Sequence, residues 1–172
     1  RDFVWNINQV VDLLNSIYQQ IPIGIFLLWD SDDLGSGYRF IGDIQPKNKE
    51  PKRHSKYVLD GQQRLTSILF SLQPENIDLP ENIREKYEIY FSLDDEKFYT
   101  KQPKNHYCCP ISILGSDEKF YGFFVDINKS NSKRNIERIK DKLENLKNFR
   151  DYEIPLLIFN DSVTLDTVSK TF

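Results

Sequence analysis

Residues 57–67 read YVLDGQQRLTS and join two different patterns of apolar residues. The first three residues are apolar, which predicts a strand, and the apolar residues after Arg64 recur at the spacing of a helix. Between them lie a carboxylate, a glycine, two carboxamides and a guanidinium, and two hydroxyl groups follow. The stretch is therefore predicted to be a strand-to-helix turn that carries many ligand-binding groups.

These groups suit an anion such as phosphate. The first turn of a helix offers unpaired backbone N–H groups and a partial positive charge. Gly61 lets the backbone approach a ligand closely, and Arg64 can bind phosphate or carboxylate with two parallel hydrogen bonds. Asp60 could instead be a simple helix cap, with the other polar residues in a solvated first turn. Because capping needs only one residue, the sequence favours a ligand site at Asp60–Ser67.

The composition bounds the class of protein. With 172 residues, 39% hydrophobic, 13% aromatic and 28% charged, the chain is predicted to be one soluble globular domain over residues 1–172. It has no apolar run of membrane-spanning length and no signal-peptide pattern, so no membrane partner is expected. It begins at Arg1 without methionine and ends inside a predicted helix, so we expect a fragment truncated at both ends.

The cysteines indicate the cellular setting. Cys108 and Cys109 are adjacent, and neighbours on a strand point to opposite faces, so we expect neither a bridge nor a shared metal. A reducing cytoplasm is the simplest location.

Positive charge is local, since the net charge is −3. Residues 47–56 hold five basic residues against one acidic residue, and residues 129–150 hold eight against three. Either stretch could face DNA, with Lys47, Lys52 and Arg53 as candidate contacts. A solvated loop and a solvated helix face explain the two stretches equally well.

The pattern along the chain predicts a mixed α/β (α+β) fold of short strands and irregularly interleaved helices. Predicted helices follow Asn6 or Asn8 up to Pro22 and then lie near residues 65–72, 117–126, 133–149 and 164–172. Predicted strands lie near residues 23–29, 38–41, 57–59, 109–114 and 152–159, and residues 88–93 and 97–99 form a hairpin. No glycine-rich dinucleotide loop or GxxxxGK[ST] sequence is present, which argues against a P-loop enzyme.

Other chemistry is weakly supported. His54 and His106 have no zinc ligands at suitable spacing, and surface histidines are the simpler interpretation, although His106 could line a pocket. Cys108 has no basic partner that would lower its pKa, and no nuclease metal cluster is present, so any DNA-cutting groups lie elsewhere. Arg1, Phe3 and Trp5 could line a ligand pocket or anchor the first helix.

Three stretches together resemble the N-terminal ParB/sulfiredoxin-like domains with a DGQQR motif, found in GmrSD-type type IV restriction systems and related phage-defence proteins. They are Arg1–Trp5 (RDFVW), Tyr18–Trp29 with its Pro-Ile-Gly, and Val58–Ser67 with DGQQR. The DGQQR piece is fairly specific, and the other two carry weight only in combination. The resemblance covers roughly the first 70 residues. The family's opening glutamine is absent, and its later asparagine/glycine motif would begin about where the chain ends.

The resemblance implies a nucleotide-binding and NTP-hydrolysing module that acts with a separate HNH-type nuclease domain on foreign or modified DNA. By this resemblance Asp60 would assist a metal or a water. Gln62, Gln63 and the backbone around Gly61 would hold phosphate oxygens, and Arg64 would neutralise the charge that builds up in phosphoryl transfer.

The remaining implied contacts come from Thr66 or Ser67 through their hydroxyl groups and from Arg1 as a second guanidinium. Mg²⁺ is the natural ion for a phosphate substrate, with Asp60 as its possible ligand. Two alternatives stay open: a DNA-binding ParB-like module without NTPase activity, and a protein scaffold in which the motif only caps a helix.

Overall fold

The computed structural model describes residues 2–31, 39–44, 55–129 and 136–160. These residues form a mixed α/β structure, as predicted. The helices are α1 (Ile7–Tyr18), α2 (Gln62–Leu72), α3 (Glu81–Lys86), α4 (Asp117–Lys129) and α5 (Ile136–Lys147). The strands are β1 (Phe26–Ser31), β2 (Ser55–Asp60), β3 (Tyr90–Ser92), β4 (Lys97–Tyr99), β5 (Cys108–Pro110) and β6 (Leu156–Phe159). Short 3-10 helices cover Ile41–Asp43, Ile111–Gly115 and Asn148–Asp151.

Helix α1 begins where its sequence predicts. The Asn6 side chain accepts hydrogen bonds from the backbone N–H groups of Asn8 and Gln9, and the Gln9 side chain accepts from the Asn6 N–H. This reciprocal capping box satisfies N–H groups that the first turn of a helix leaves unpaired. The helix ends at Tyr18, before Pro22, and buries Val10, Leu13, Leu14 and Ile17.

The first sheet has the strand order β2-β1-β6. Its central strand β1 is antiparallel to β2 and parallel to β6, with Leu28 opposite both Val58 and Ile158. The pairing of Leu27 with Asp60 brings the start of β1 beside the end of β2, where the register shifts. The edge strand β6 exposes Leu156, Leu157 and Ile158, each about half exposed.

The second sheet has the order β4-β3-β5, and both pairings are antiparallel. The predicted hairpin is its β3-β4 pair. Phe91 and Phe98 face each other across this pair, and their ring centroids lie 5.0 Å apart. The main core lies between this sheet and α1, α2, α4 and α5; its fully buried side chains include Leu14, Phe91, Phe120 and Leu143.

Several predicted strands are wrong in extent. Arg39 and Phe40 lie outside any strand and Ile41 opens a 3-10 helix, so the described part of the 38–41 stretch is not a strand. The 109–114 stretch is extended only to Pro110 and then turns into a 3-10 helix. The short helix α3, which begins directly after Pro80, was not predicted, although proline is favoured at a helix start. The predicted helix at 164–172 lies outside the described residues.

Candidate functional site

The turn at residues 60–62 has a geometry that only glycine supports. Gly61 has φ +94°, and a Cβ there would lie 2.6 Å from a ring carbon of Phe26. The backbone therefore reverses sharply against the Phe26 ring between β2 and α2. Gly61, which has no side chain, occupies the cap position of α2. The alternative in which Asp60 is the helix cap is therefore wrong.

Arg64 lies at the centre of the turn. Its Nη1 donates to the Ile23 carbonyl at 2.6 Å, and its Nη2 donates to the Ile25 carbonyl at 3.1 Å. The same Nη2 lies 2.8 Å from Oδ2 of Asp60, and the guanidinium carbon lies 4.7 Å from the centroid of the Phe26 ring. The Arg64 side chain is 16% exposed and that of Asp60 is 64% exposed. The arginine is thus enclosed, and the carboxylate beside it faces solvent.

The segment that encloses Arg64 is the Pro-Ile-Gly stretch before β1. Gly24 has φ +90°, and a Cβ there would lie 2.6 Å from Nη1 of Arg64. This bend turns two carbonyls toward the guanidinium, which is why β1 begins at Phe26 and the predicted strand 23–29 is too long at its start. Two motifs that lie about 40 residues apart in the sequence therefore form one structural unit.

Tyr152 supports this segment from the other end of the chain. Its hydroxyl donates to the Ile21 carbonyl at 2.8 Å and accepts from the Ile23 N–H at 3.0 Å. Sequence reasoning placed Tyr152 in a strand and gave it no role in the site. β6 begins only at Leu156, after Pro155, whose carbonyl accepts from the Phe26 N–H. The sequence feature that could have indicated this bend is Gly24, because a glycine inside an apolar run marks a bend or a close approach of the backbone.

Gln63 binds the N-terminal segment with both ends of its carboxamide. Its Nε2 donates to the Asp2 carbonyl at 2.7 Å, and its Oε1 accepts from the Val4 N–H at 2.9 Å. The Phe3 ring packs edge-on against Phe70 and Tyr87, with centroids 5.5 and 5.7 Å away. Residues 2–5 are thus tied to α2, and Phe3 is an apolar anchor.

The other motif side chains also have partners within the fold. The Gln62 Nε2 donates to the Val58 carbonyl at 2.8 Å, and the Ser67 hydroxyl donates to the Gln63 carbonyl at 2.8 Å. Thr66 and Ser67 are buried. Of the residues predicted to hold phosphate, Arg1 lies outside the described part of the chain. The structure brings the others together around one turn, where their side chains largely fix its shape.

Arg39 is a residue that sequence reasoning missed. It pairs with Asp2 and lies 3.6 Å from Asp43, and its side chain is 57% exposed. The hydrogen bond from Arg39 and its charge hold the pKa of Asp2 below the ordinary value. Arg39 thus binds the same N-terminal segment as Gln63. No sequence pattern links Arg39 with Asp2 or Gln63.

The carboxylate of Asp60 suits a metal ion that takes most of its other ligands from water and substrate. No group of three His, Cys, Asp or Glu residues that could hold a metal occurs within the described ranges. Asp60 can offer Mg²⁺ one carboxylate, and Mg²⁺ commonly takes its remaining ligands from water and substrate phosphates. The residues present therefore fit a metal that arrives with a nucleotide.

The remaining candidates have structural explanations. Nδ1 of His106 lies 2.9 Å from the Ser92 hydroxyl and 3.6 Å from Oδ1 of Asp95, in the turn of the β3-β4 hairpin. Cys108 and Cys109 are buried and form no disulfide, and burial raises the pKa of Cys109 to about 12. An open cleft of about 500 Å³, lined by Tyr18, Gln20, Asn145, Asn148 and Asp151, shares no residue with the motif.

The basic residues of α5 and its C-terminal flank contact the chain itself. Lys142 is buried and lies 3.2 Å from Glu96, and Lys147 lies 5.7 Å from the centroid of the Tyr121 ring. Arg150 pairs with Asp117. The candidate DNA contacts Lys47, Lys52 and Arg53, and also His54, lie outside the described residues.

The fold and the site define a class: an α/β domain in which a strand–glycine–helix turn is held together by a largely enclosed arginine. The chain matches the family model described as "GmrSD restriction endonuclease, N-terminal domain" over residues 1–172 and belongs to that family. It is 24% identical to the "Uncharacterized protein MJ0686" of Methanocaldococcus jannaschii over 213 aligned positions, which cover 99% of this chain and 35% of that protein. The chain thus spans about a third of the length of this relative.

Across the described ranges, no helix combines the length and apolar character that crossing a bilayer demands.

Proposed function

We propose that this domain binds a nucleoside triphosphate with Mg²⁺ at the Asp60–Ser67 turn and hydrolyses it as part of a restriction protein. The observation that carries the proposal is the Asp60 carboxylate, which is exposed at the end of β2 and fixed by Arg64 beside the start of α2. Membership of a family of restriction endonuclease N-terminal domains supports it. In the whole protein the module would act with an HNH-type nuclease domain or subunit on foreign or modified DNA.

The reaction is the attack of water on the terminal phosphorus, with cleavage of its bond to the bridging oxygen and release of inorganic phosphate, the nucleoside diphosphate and a proton to solvent. Bound Mg²⁺ supplies neutralisation of the phosphate charge. Asp60 would hold that ion or orient the water. Backbone N–H groups at Gly61 and the first turn of α2 would bind phosphate oxygens. Gln62, Gln63, Thr66 and Ser67 would keep the turn in shape, and Arg1 would add a second cation.

Asp60→Asn tests this proposal. In a full-length protein we expect phosphate release from ATP or GTP to fall about 100-fold or more, because the amide removes the charge that holds the metal or orients the water. Chelation of Mg²⁺ should abolish release by the wild type. Asp117→Asn is the matched control, because Asp117 is also an exposed carboxylate paired with an arginine.

Two results would overturn the proposal. One is a full-length wild type that binds neither nucleotide. The other is an Asp60→Asn variant whose turnover equals that of Asp117→Asn.

The same proposal assigns contact with DNA to Lys47, Lys52 and Arg53, which lie in the stretch with the higher density of positive charge. The basic residues around α5 are weaker candidates because several of them contact the chain itself. Charge reversal at the three positions should weaken DNA binding and flatten its dependence on salt. Unchanged binding at low salt would exclude this assignment.

A further inference from the structure

We propose that Arg64 is a positioning residue that acts on the nucleotide only through Asp60 and does not itself bind phosphate. This inference rests on the proposed function and assigns a different role to one of its two central residues. It follows from where the donors of the guanidinium point, from the exposure of the two charged groups, and from the segments that enclose Arg64.

The guanidinium of Arg64 donates to acceptors of the protein itself. Nη1 and Nη2 of Arg64 together donate to the carbonyls of Ile23 and Ile25 and to the Asp60 carboxylate. One face of the guanidinium lies over the Phe26 ring. These bonds use both N–H groups of Nη2 and one of the two on Nη1. Binding phosphate through Nη2 would release the Ile25 carbonyl or the Asp60 carboxylate, and moving Nη1 would release the part-buried Ile23 carbonyl, which costs free energy. The observed arrangement therefore opposes a phosphate contact through Nη2.

The exposed fractions of the Arg64 and Asp60 side chains indicate which of the two charged groups a nucleotide would contact. Asp60 is 64% exposed and Arg64 only 16%, so an approaching nucleotide meets a carboxylate. A carboxylate repels phosphate at short range unless a cation lies between them. Asp60 would therefore hold Mg²⁺, and the contribution of this pair to nucleotide binding should depend on the metal.

The backbone around Gly24 encloses the guanidinium of Arg64. Gly24 leaves room for Nη1, because a Cβ at that position would lie 2.6 Å from it. Tyr152 fixes the backbone on either side of Pro22 through its hydroxyl. The Pro-Ile-Gly segment thus encloses Arg64, Tyr152 holds that segment in place, and the exposed neighbour of Arg64 is Asp60. This is the arrangement expected of a group that orients another group.

A double-mutant cycle distinguishes positioning from direct contact. The variants Asp60→Asn, Arg64→Lys and their combination are measured in the full-length protein for kcat and KM with Mg·ATP and Mg·GTP. If Arg64 acts through Asp60, both single variants lower kcat, and the combination is no more than about 3-fold worse than Asp60→Asn alone. Nucleotide binding measured without Mg²⁺ should stay within about 3-fold of wild type in Arg64→Lys.

Losses that multiply in the combined variant would overturn the inference while leaving the proposed function intact. So would metal-free nucleotide binding that weakens about 10-fold or more in Arg64→Lys. Asp117→Asn, Arg150→Lys and their combination form the control cycle, because that pair shares the charge geometry but lies outside the motif. A wild type that hydrolyses neither nucleotide would overturn the proposed function and the positioning role together.

A second measurement needs no nucleotide. Gly24→Ala should lower the melting temperature in the wild type and lower it by several degrees less in an Arg64→Ala background, because only the wild type has the Nη1 contact. Backbone strain at the positive φ of residue 24 is common to both backgrounds and cancels in the comparison. Equal losses in the two backgrounds would show that residues 23–25 do not enclose Arg64 and would also overturn the inference.

Discussion

Glu96 shows how one side chain can join three elements. Its carboxylate accepts from the Tyr18 hydroxyl at the end of α1 at 2.8 Å and lies 3.2 Å from Nζ of Lys142 on α5. Glu96 itself lies in the turn of the β3-β4 hairpin. The Tyr18 hydrogen bond, and then Lys142 and the charge of Arg138, hold the pKa of Glu96 below its ordinary value of 4.5. Burial and the same hydrogen bond raise the pKa of Tyr18.

The sign of the pH dependence follows from the lowered pKa. A carboxyl whose pKa is lower in the folded state stabilises the protein above its unfolded pKa, and this stabilisation is lost as the pH falls through the folded value. We therefore expect the stability difference between wild type and Glu96→Gln to be largest near neutral pH and to shrink below pH 4.5. Denaturant unfolding at several pH values measures it. A difference that does not change with pH would contradict the assignment.

The comparison of Glu96→Gln with wild type reports on one carboxyl group among several whose pKa is lowered. Asp95 and Asp117 also have lowered pKa values, so the wild type loses other stabilisation in acid. The variant Asp117→Asn provides the control, since Arg150 lowers the pKa of that carboxyl in the same direction from a different part of the surface.

At this scale the sequence predicted the strand-to-helix turn at Asp60–Ser67 better than the contacts inside it. The turn could be predicted because an apolar run gives way to a helical pattern across a glycine and a cluster of polar residues. A functional role for these residues stays a prediction. The acceptors of Arg64 could not be predicted, since they are backbone carbonyls, and every residue has one. For the same reason the binding of Gln63 to the backbone of Asp2 and Val4 is not visible in side-chain patterns.

At the scale of elements, the end of α2 packs directly on the 3-10 helix Ile111–Gly115. A Cβ at Gly115 would lie 2.2 Å from the Leu72 carbonyl oxygen, which is backbone and can move little. Gly122 lies within α4, and a Cβ there would meet nothing within 4 Å. Close packing therefore requires a glycine at position 115 and leaves room for a side chain at position 122.

We expect Gly115→Ala to lower the free energy of unfolding by roughly 1–3 kcal/mol, because the added methyl group forces two elements apart. Gly122→Ala should instead raise the free energy of unfolding by up to about 1 kcal/mol, because alanine is more favourable than glycine inside an exposed helix. Denaturant midpoints of the two variants beside wild type measure both effects. If both substitutions stabilise, α2 does not pack on this segment as described.

The helices were easier to predict than the strands. α1, α2, α4 and α5 repeat their apolar residues once per turn over 11–13 residues, which leaves a clear pattern. The strands β3, β4 and β5 contain only three residues each, too few for alternation to mark an end. The bend at Gly24 and the 3-10 helix after Pro110 depend on contacts with distant residues, which short apolar runs do not reveal.

At the scale of the molecule, Tyr152 connects the two ends of the described chain. Its hydroxyl bridges Ile21 and Ile23, which lie about 130 residues earlier in the sequence. Nearby, β6 pairs with β1 in parallel. The bend that encloses Arg64 therefore depends on residues from both halves of the chain.

Tyr152→Phe keeps the ring and removes the bridge. We expect it to lower the free energy of unfolding by about 1–2 kcal/mol, since an N–H donor and a carbonyl acceptor lose their partner. Tyr121→Phe, at a half-exposed tyrosine on α4, should change it by less than about 0.5 kcal/mol. Thermal and denaturant unfolding of both variants measure the difference. Equal, small effects would mean that water replaces the Tyr152 hydroxyl at no cost.

The long reach of the Tyr152 bridge has a consequence for synthesis on the ribosome. Residues 18–64 contain the Pro-Ile-Gly bend, β1, β2 and the glycine turn, but Tyr152 and β6 leave the exit tunnel only after nearly ninety further residues have been added. Contacts between such distant segments form late, because the intervening chain must first be made and ordered. A nascent chain released before Tyr152 has both motifs in its sequence and lacks the bridge that fixes their geometry.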